Sequence, residues 1–138
     1  MWTCPVCGRE FVNQNQTHFC ADKKLSTLLN GKSEHTVALF DHFAEKFKEL
    51  GSISIHPTKT MIAFSGKRQL VYIIRLGKDF IDAVFPFEKE YPDNLCFHKI
   101  AKVPGQQQFN HYFRMMQKED MNEEVVSYLK LLLANDAR

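Results

Sequence analysis

Residues 52–87 read SISIHPTKTMIAFSGKRQLVYIIRLGKDFIDAVFPF. Four short runs, SISIH, KTMIAFS, QLVYIIRL and FIDAVFPF, are rich in β-branched and aromatic residues. Pro57, Gly66-Lys67 and Gly77-Lys78 separate them, the punctuation of an antiparallel meander with tight turns. Two further candidate strands, CFHKIAKV and FNHYFRMM, flank PGQQQ downstream. In QLVYIIRL, Leu70, Tyr72, Ile74 and Leu76 alternate against Val71, Ile73 and Arg75, so both faces carry apolar residues. A sheet with one wet face alternates more cleanly. This predicts that something besides helices covers part of the second face: the N-terminal segment, a partner subunit or a ligand. Scattered surface apolar residues are the plainer alternative.

Helical patterns bracket the strands. Upstream, SEHTVALFDHFAEKFKELG repeats Val37, Phe40, Phe43, Phe47 and Leu50 at three- and four-residue steps, the period of one buried helix face. Ser33 is a suitable N-cap and Gly51 a suitable stop. Downstream, EDMNEEVVSYLKLLLAN offers Asp120 or Asn122 as cap, acidic residues in its first turn, and Val125, Tyr128, Leu129 and Leu132 as its apolar face. The expected fold class is α+β: a helix, an antiparallel sheet of about five or six strands and a C-terminal helix, in two layers. The chain then divides into a cysteine-bearing tip (1–21), a polar link (22–33) and this body (34–138).

A chain of 138 residues with 44% hydrophobic and 25% charged residues and twelve Phe fits one packed domain. The formal net charge of +2 does not by itself announce a nucleic-acid binder. Its distribution is uneven: residues 59–118 hold ten Lys/Arg against five Asp/Glu, and residues 119–138 hold two against five. A solvated strand face gives such a balance about as often as a phosphate site does. The N-terminus lacks the basic and apolar runs of a signal peptide, and no segment approaches the ~18–20 consecutive apolar residues of a membrane span. A cytoplasmic protein is expected, in which clustered cysteines bind metal more often than they pair.

The tip, WTCPVCGREFVNQNQTHFC (2–20), holds Cys4, Cys7, His18 and Cys20 in the pattern C-x2-C-x10-H-x-C. Two residues between the first cysteines let a tight turn bring both sulfurs to one ion, with Pro5 stiffening the turn and Gly8 following it. One residue between His18 and Cys20 places both on one side of an extended segment. Four soft or borderline ligands suit tetrahedral Zn²⁺, and a closed set is the structural type, with no position left for a hydrolytic water. A tip this short has little core, so one structural Zn²⁺ would supply its folding energy, with Trp2, Phe11 and Phe19 around it. A redox dithiol reading of CPVC needs a strand before and a helix after, and leaves His18 and Cys20 unexplained.

Other chemistry is thin. Cys96, His98 and His111 offer a thiol and imidazoles, but Cys96 starts an apolar strand and His111 shares a strand face with Phe109 and Phe113. That pattern reads as core, not as nucleophile and base. The sequence holds no P-loop, no GxGxxG, no paired-carboxylate motif and no HExxH. Lys67 and Arg68 at a hairpin turn, with Lys59, Arg75 and Arg114 on neighbouring strands, read as a basic edge where wing-like hairpins touch phosphates. Lysines that keep hairpin tips soluble are the competing reading. Tyr72 and Tyr112 lie close in sequence to Arg75 and Arg114, as stacking surfaces would.

The tip, the stretch LGSISIHPTKTMIAF, the segment HYFRM and the ending EDMNEEVVSYL together resemble a bacterial family of domains of unknown function. Its members join an N-terminal zinc knuckle of CCHC type to a small α+β body, and related bodies end larger proteins described as predicted transport proteins. Trp2, Cys4, Pro5, Cys7, Gly8, Arg9, Phe11, Asn15, Gln16, His18 and Cys20 match the knuckle. Lys59, Thr60, Ala63, Phe64, His111, Phe113 and Arg114 match the body, and FEKEYPDNLCFHK departs from it. A fainter likeness in element order runs to small α+β proteins described as having a double-wing DNA-binding fold.

The expected function is a non-enzymatic binding module with structural zinc that engages nucleic acid, DNA first, through Lys59, Lys67, Arg68, Arg75 and Arg114. The alternative is a sensor or adaptor whose second sheet face, near Lys59, His111 and Arg114, holds a small anionic ligand or a protein partner.

Overall fold

A computed structural model of the chain describes residues 2, 3, 5, 10, 11, 28–58 and 61–136. Lys59, Cys4, Cys7, His18 and Cys20 lie outside these residues. Two short strands, β1 (Trp2–Thr3) and β2 (Glu10–Phe11), pair antiparallel with Trp2 opposite Phe11 and Thr3 opposite Glu10.

The body is a six-stranded antiparallel sheet carrying two helices. Its strands are β3 (Ser54–Pro57), β4 (Ile62–Ser65), β5 (Gln69–Leu76), β6 (Ile81–Phe87), β7 (Phe97–Lys102) and β8 (Phe109–Met115). Helix α1 spans Glu34–Leu50 and α2 spans Glu123–Asp136, the latter entered through a short 3-10 turn at Lys118–Asp120. The expected helix, sheet and C-terminal helix are all present.

The spatial order is β3-β4-β5-β6-β8-β7, so the meander holds for four strands and then breaks. The reason lies in residues 88–96, which carry the chain past the place of β8 to the sheet edge before β8 returns between β6 and β7. Nine residues reach far more than the ~10 Å of two strand spacings, so the crossing is sterically easy. Tyr91 fastens the crossing to the body, its ring within 4.9 Å of Phe87 and 5.6 Å of Tyr128, centroid to centroid.

Both helices lie on one face. Phe40, Phe43 and Phe47 of α1 are fully buried, as their spacing predicts, and their rings meet Phe64 of β4 at 6.1, 5.3 and 5.7 Å. Val125, Leu129 and Leu132 of α2, with Ile81, Phe85, Phe113 and Met115, complete the core. Leu29, in the segment preceding α1, is also buried in it.

The helix ends are tied to the sheet turns. Ser33 caps α1 by accepting the Thr36 N–H at 3.1 Å, and the Thr36 hydroxyl donates to the Gly77 and Lys78 carbonyls in the β5–β6 turn. Asn122 caps α2, accepting the Val125 N–H at 3.0 Å. At the far end of α2, the Asp136 carboxylate accepts the N–H groups of Lys67 and Arg68 at 2.8 and 2.9 Å, closing the β4–β5 turn. Gly66 makes that approach possible, because a Cβ there would collide with the Asp136 carboxylate.

One expectation about β5 needs correction. The strand does not alternate along its whole length: the pairing with β6 slips at Ile74, so Ile73 lies opposite Ala83 while Arg75 lies opposite Asp82. A second irregularity at its start accompanies the turn back from β4. Val71, Ile73, Leu70 and Leu76 therefore all pack on the helix side, and Tyr72 and Arg75 are left outside. A bulge adds one residue and reverses the phase after it.

Candidate functional site: the open sheet face

Register assembles the face away from the helices. His56 pairs with Ala63, Ala63 with Tyr72, Tyr72 with Val84, Val84 with Tyr112, and Tyr112 with Lys99. One row of side chains thus crosses all six strands. Rings and small residues alternate along it, ending on a cation, so Tyr72 and Tyr112 stand two strand spacings apart, about 10 Å. Val84 forms the floor between them and is 5% exposed, whereas both tyrosines remain partly exposed. The Lys99 ammonium lies 5.1 Å from the Tyr112 ring centroid, and His98 approaches the same ring at 6.3 Å. The Tyr72 hydroxyl donates to Gln69, and burial pushes its pKa above the ordinary phenol value.

The next row holds Arg75, Asp82 and Arg114. Arg114 grips Asp82 with two parallel bonds, Nε to Oδ1 at 2.8 Å and Nη2 to Oδ2 at 3.0 Å. Its guanidinium carbon also sits 4.2 Å from the Phe80 ring centroid, with that of Arg75 at 5.4 Å. Arg114 is therefore largely neutralised within the protein, while Arg75 is exposed and, among the described residues, has no acidic partner in hydrogen-bond contact.

The other basic residues fall elsewhere. Arg68 donates from Nη2 to the Asn135 carbonyl at 2.8 Å and lies 3.6 Å from Asp136, so it serves the C-terminus of α2. Lys67 is exposed beside it. These two sit at the β4–β5 turn, and Arg75 sits at the opposite end of β5, ~23 Å away at ~3.3 Å per residue. Among the described residues, Arg75 and Arg114 do not lie on the sheet edge that was expected, because β5 and β8 are interior strands. The edge strand with cations is β7, through Lys99 and Lys102.

His111 lies on the helix face, fully buried, three residues from Arg114 along an unbroken register and hence on the opposite side of the sheet. One pocket cannot take both. Its Nε2 accepts the Tyr91 N–H at 3.0 Å and its Nδ1 meets the Phe109 carbonyl at 3.0 Å, which fixes the neutral Nδ1–H tautomer. Phe87 and Phe97 each pack on the ring at 5.1 Å. Burial holds its pKa below the ordinary imidazole value. Cys96 is half-buried, and burial first, then the Glu124 carboxylate, push its thiol up to about 12. Neither group is set up for nucleophilic chemistry: the imidazole has no free nitrogen and the thiol stays protonated.

A family model described as a domain of unknown function (DUF5655) matches residues 25–131. The chain belongs to this family. The DUF5655 match covers α1, all six strands of the body and α2 as far as residue 131, and begins beyond the four candidate metal ligands. Neither the curated proteins nor the solved structures yield a match.

Two other features of the DUF5655 body bear on function. An open groove between α1 and α2 is lined by Lys46, Met121, Val126 and Lys130 among others, shallow and on the helix side. Among the described residues no helix is long and apolar enough to cross a membrane, and no cluster of three or more His, Cys, Asp or Glu is poised to hold a metal.

The row across the sheet was not legible from the sequence as such. Tyr72 and Tyr112 stood out beside Arg75 and Arg114, but their alignment through Val84 depends on the strand order, and the addition of Lys99 on a register shift between Phe97 and Lys99 where β7 pairs with β8.

Proposed function

We propose that the chain is a non-enzymatic, zinc-containing binding module that engages nucleic acid, DNA foremost, on the sheet face opposite its helices. The observation that carries this reading is the row Tyr72–Val84–Tyr112–Lys99, with exposed Arg75 in the adjoining row. Aromatic surface with interleaved cations offers what nucleic acid needs: π-faces for bases and positive charge for phosphates. Lys99 and Arg75 are the chief phosphate contacts, Lys67 lies further out at the β4–β5 turn, and Arg114 braces the face through Asp82. The neutral, fully bonded His111 and the protonated Cys96 support a role without catalysis.

The tip fits one structural Zn²⁺. Pairing of Trp2–Thr3 with Glu10–Phe11 sets Thr3 opposite Glu10, and the sequence between these two residues contains Cys4 and Cys7. Closing a hairpin around a CxxC is the geometry two sulfurs need to reach one ion. Cys4, Cys7, His18 and Cys20 would hold it, and its contribution is folding energy for a segment with little core. Thiolate ligands of this kind suit a reducing cytoplasm. A knuckle and body of this size also suit use as an appended unit, as in the larger proteins described as predicted transport proteins.

Electrophoretic shift at low salt, with single- and double-stranded DNA and RNA, tests the reading. A complex that weakens steeply as salt rises is expected. No complex with any of these nucleic acids removes nucleic-acid binding and leaves a protein partner or small anion as the occupant of the face.

A further inference from the structure

We propose that the ligand of this face is single-stranded nucleic acid, with two of its bases stacked on Tyr72 and Tyr112 and its backbone running along the row towards Lys99. The inference rests on the nucleic-acid reading above and narrows it.

A duplex hides the faces of its bases and presents phosphates and groove edges, so a protein reads it with a protruding element or a ridge of free cations. The β4–β5 turn is tied to the end of α2, where the Asp136 carboxylate accepts the Lys67 and Arg68 N–H groups, so it is not a free-standing wing. Arg68 is engaged with the Asn135 carbonyl and Arg114 with Asp82. On the open face itself, Arg75 and Lys99 are exposed, flank tyrosines and do not line up as a ridge, and Lys67 stands apart at the β4–β5 turn.

The same face suits a splayed strand. Two partly exposed rings about 10 Å apart, with an apolar floor at Val84 between them, give unpaired bases surfaces to stack on. Lys99 over the Tyr112 ring adds charge where a stacked nucleotide would carry its phosphate. Charge complementarity and aromatic surface thus coincide at one row, which a double-stranded ligand cannot use.

Fluorescence anisotropy with labelled oligothymidylate and oligouridylate about ten nucleotides long, and a duplex of equal length, tests this on the full zinc-loaded chain. Both single strands, or whichever sugar is preferred, are expected to bind more tightly than the duplex. Tyr72→Leu and Tyr112→Leu should each weaken binding roughly tenfold or more, and Tyr112→Phe should restore it, with unfolding curves confirming that each variant is folded. Lys99→Gln should lower the slope of log affinity against log salt by about 0.7. Duplex bound as well as or better than single strands, or folded Tyr→Leu variants with unchanged affinity, overturns the single-strand inference and leaves the broader reading standing. No binding of any probe removes both.

Discussion

His111 is held neutral by its surroundings, with Tyr91 N–H on one nitrogen and the Phe109 carbonyl on the other. Its folded pKa lies below the unfolded value of 6.5 because burial disfavours the imidazolium. In the window between those values the unfolded chain binds more protons, so the stabilisation is full above 6.5 and is lost as pH falls through the folded value. Urea midpoints should therefore drop between pH 7.5 and pH 5. His111→Leu should cost about 1–3 kcal/mol at neutral pH, because the Tyr91 N–H loses its acceptor, and should flatten that drop. An unchanged pH profile in the variant would assign the acid sensitivity elsewhere. Asp136 acts at lower pH with the same sign: the Lys67 N–H first, with the Arg68 N–H and charge, holds its carboxyl below the usual range, so its contribution is lost as pH falls through that depressed value. Cys96 gives a chemical readout. A thiol pushed up to about 12 should react with iodoacetamide at pH 8 far more slowly than an unperturbed cysteine, measured by peptide mass spectrometry. His111 was legible as a core residue because strand alternation set it beside Phe109 and Phe113, whereas Cys96, read as the start of an apolar strand, precedes β7 and packs half-buried against the core.

Between elements, the turns and helix ends carry the coupling. Gly66 and Asp136 form a lock: the glycine leaves room for the carboxylate that holds the β4–β5 turn to α2. Gly66→Ala should lower stability by about 1–3 kcal/mol through a clash and lost turn bonds, and combining it with Asp136→Ala should add little more, the mark of shared partners. Phe64, in ring contact with three phenylalanines of α1, is the more severe site; Phe64→Ala should cost about 3–5 kcal/mol in denaturant unfolding. The six strands and two helices were legible in the sequence because period-2 and period-3.6 apolar patterns, Gly and Pro punctuation and the caps at Ser33 and Asn122 agreed with one another. Two things were not. The position of β8 inside the sheet is decided by where Tyr91 and residues 88–96 pack, a contact distant in sequence. The bulge at Ile74 is a matter of pairing register, and it moved Leu76 to the helix side and Arg75 to the open face.

At the scale of the whole molecule, the helices of the body cover one sheet face and leave the other open, and we assign that face to nucleic acid and the tip to one structural zinc. Elemental analysis of purified protein should find about one zinc per chain, and Cys4→Ser should lose it while the body stays folded. Arg75 and Arg114, read from sequence as part of one basic edge, lie on interior strands. Charge counted along a chain says nothing of which strands end up inside the sheet, and we therefore place the ligand on the row crossing it. Backbone amide shifts of isotopically labelled protein during titration with oligothymidylate test that relocation most directly. The account predicts changes concentrated at His56, Tyr72, Arg75, Val84, Lys99 and Tyr112. Changes confined to Lys67 and Arg68 or to the groove between the helices, with the sheet row silent, would contradict it.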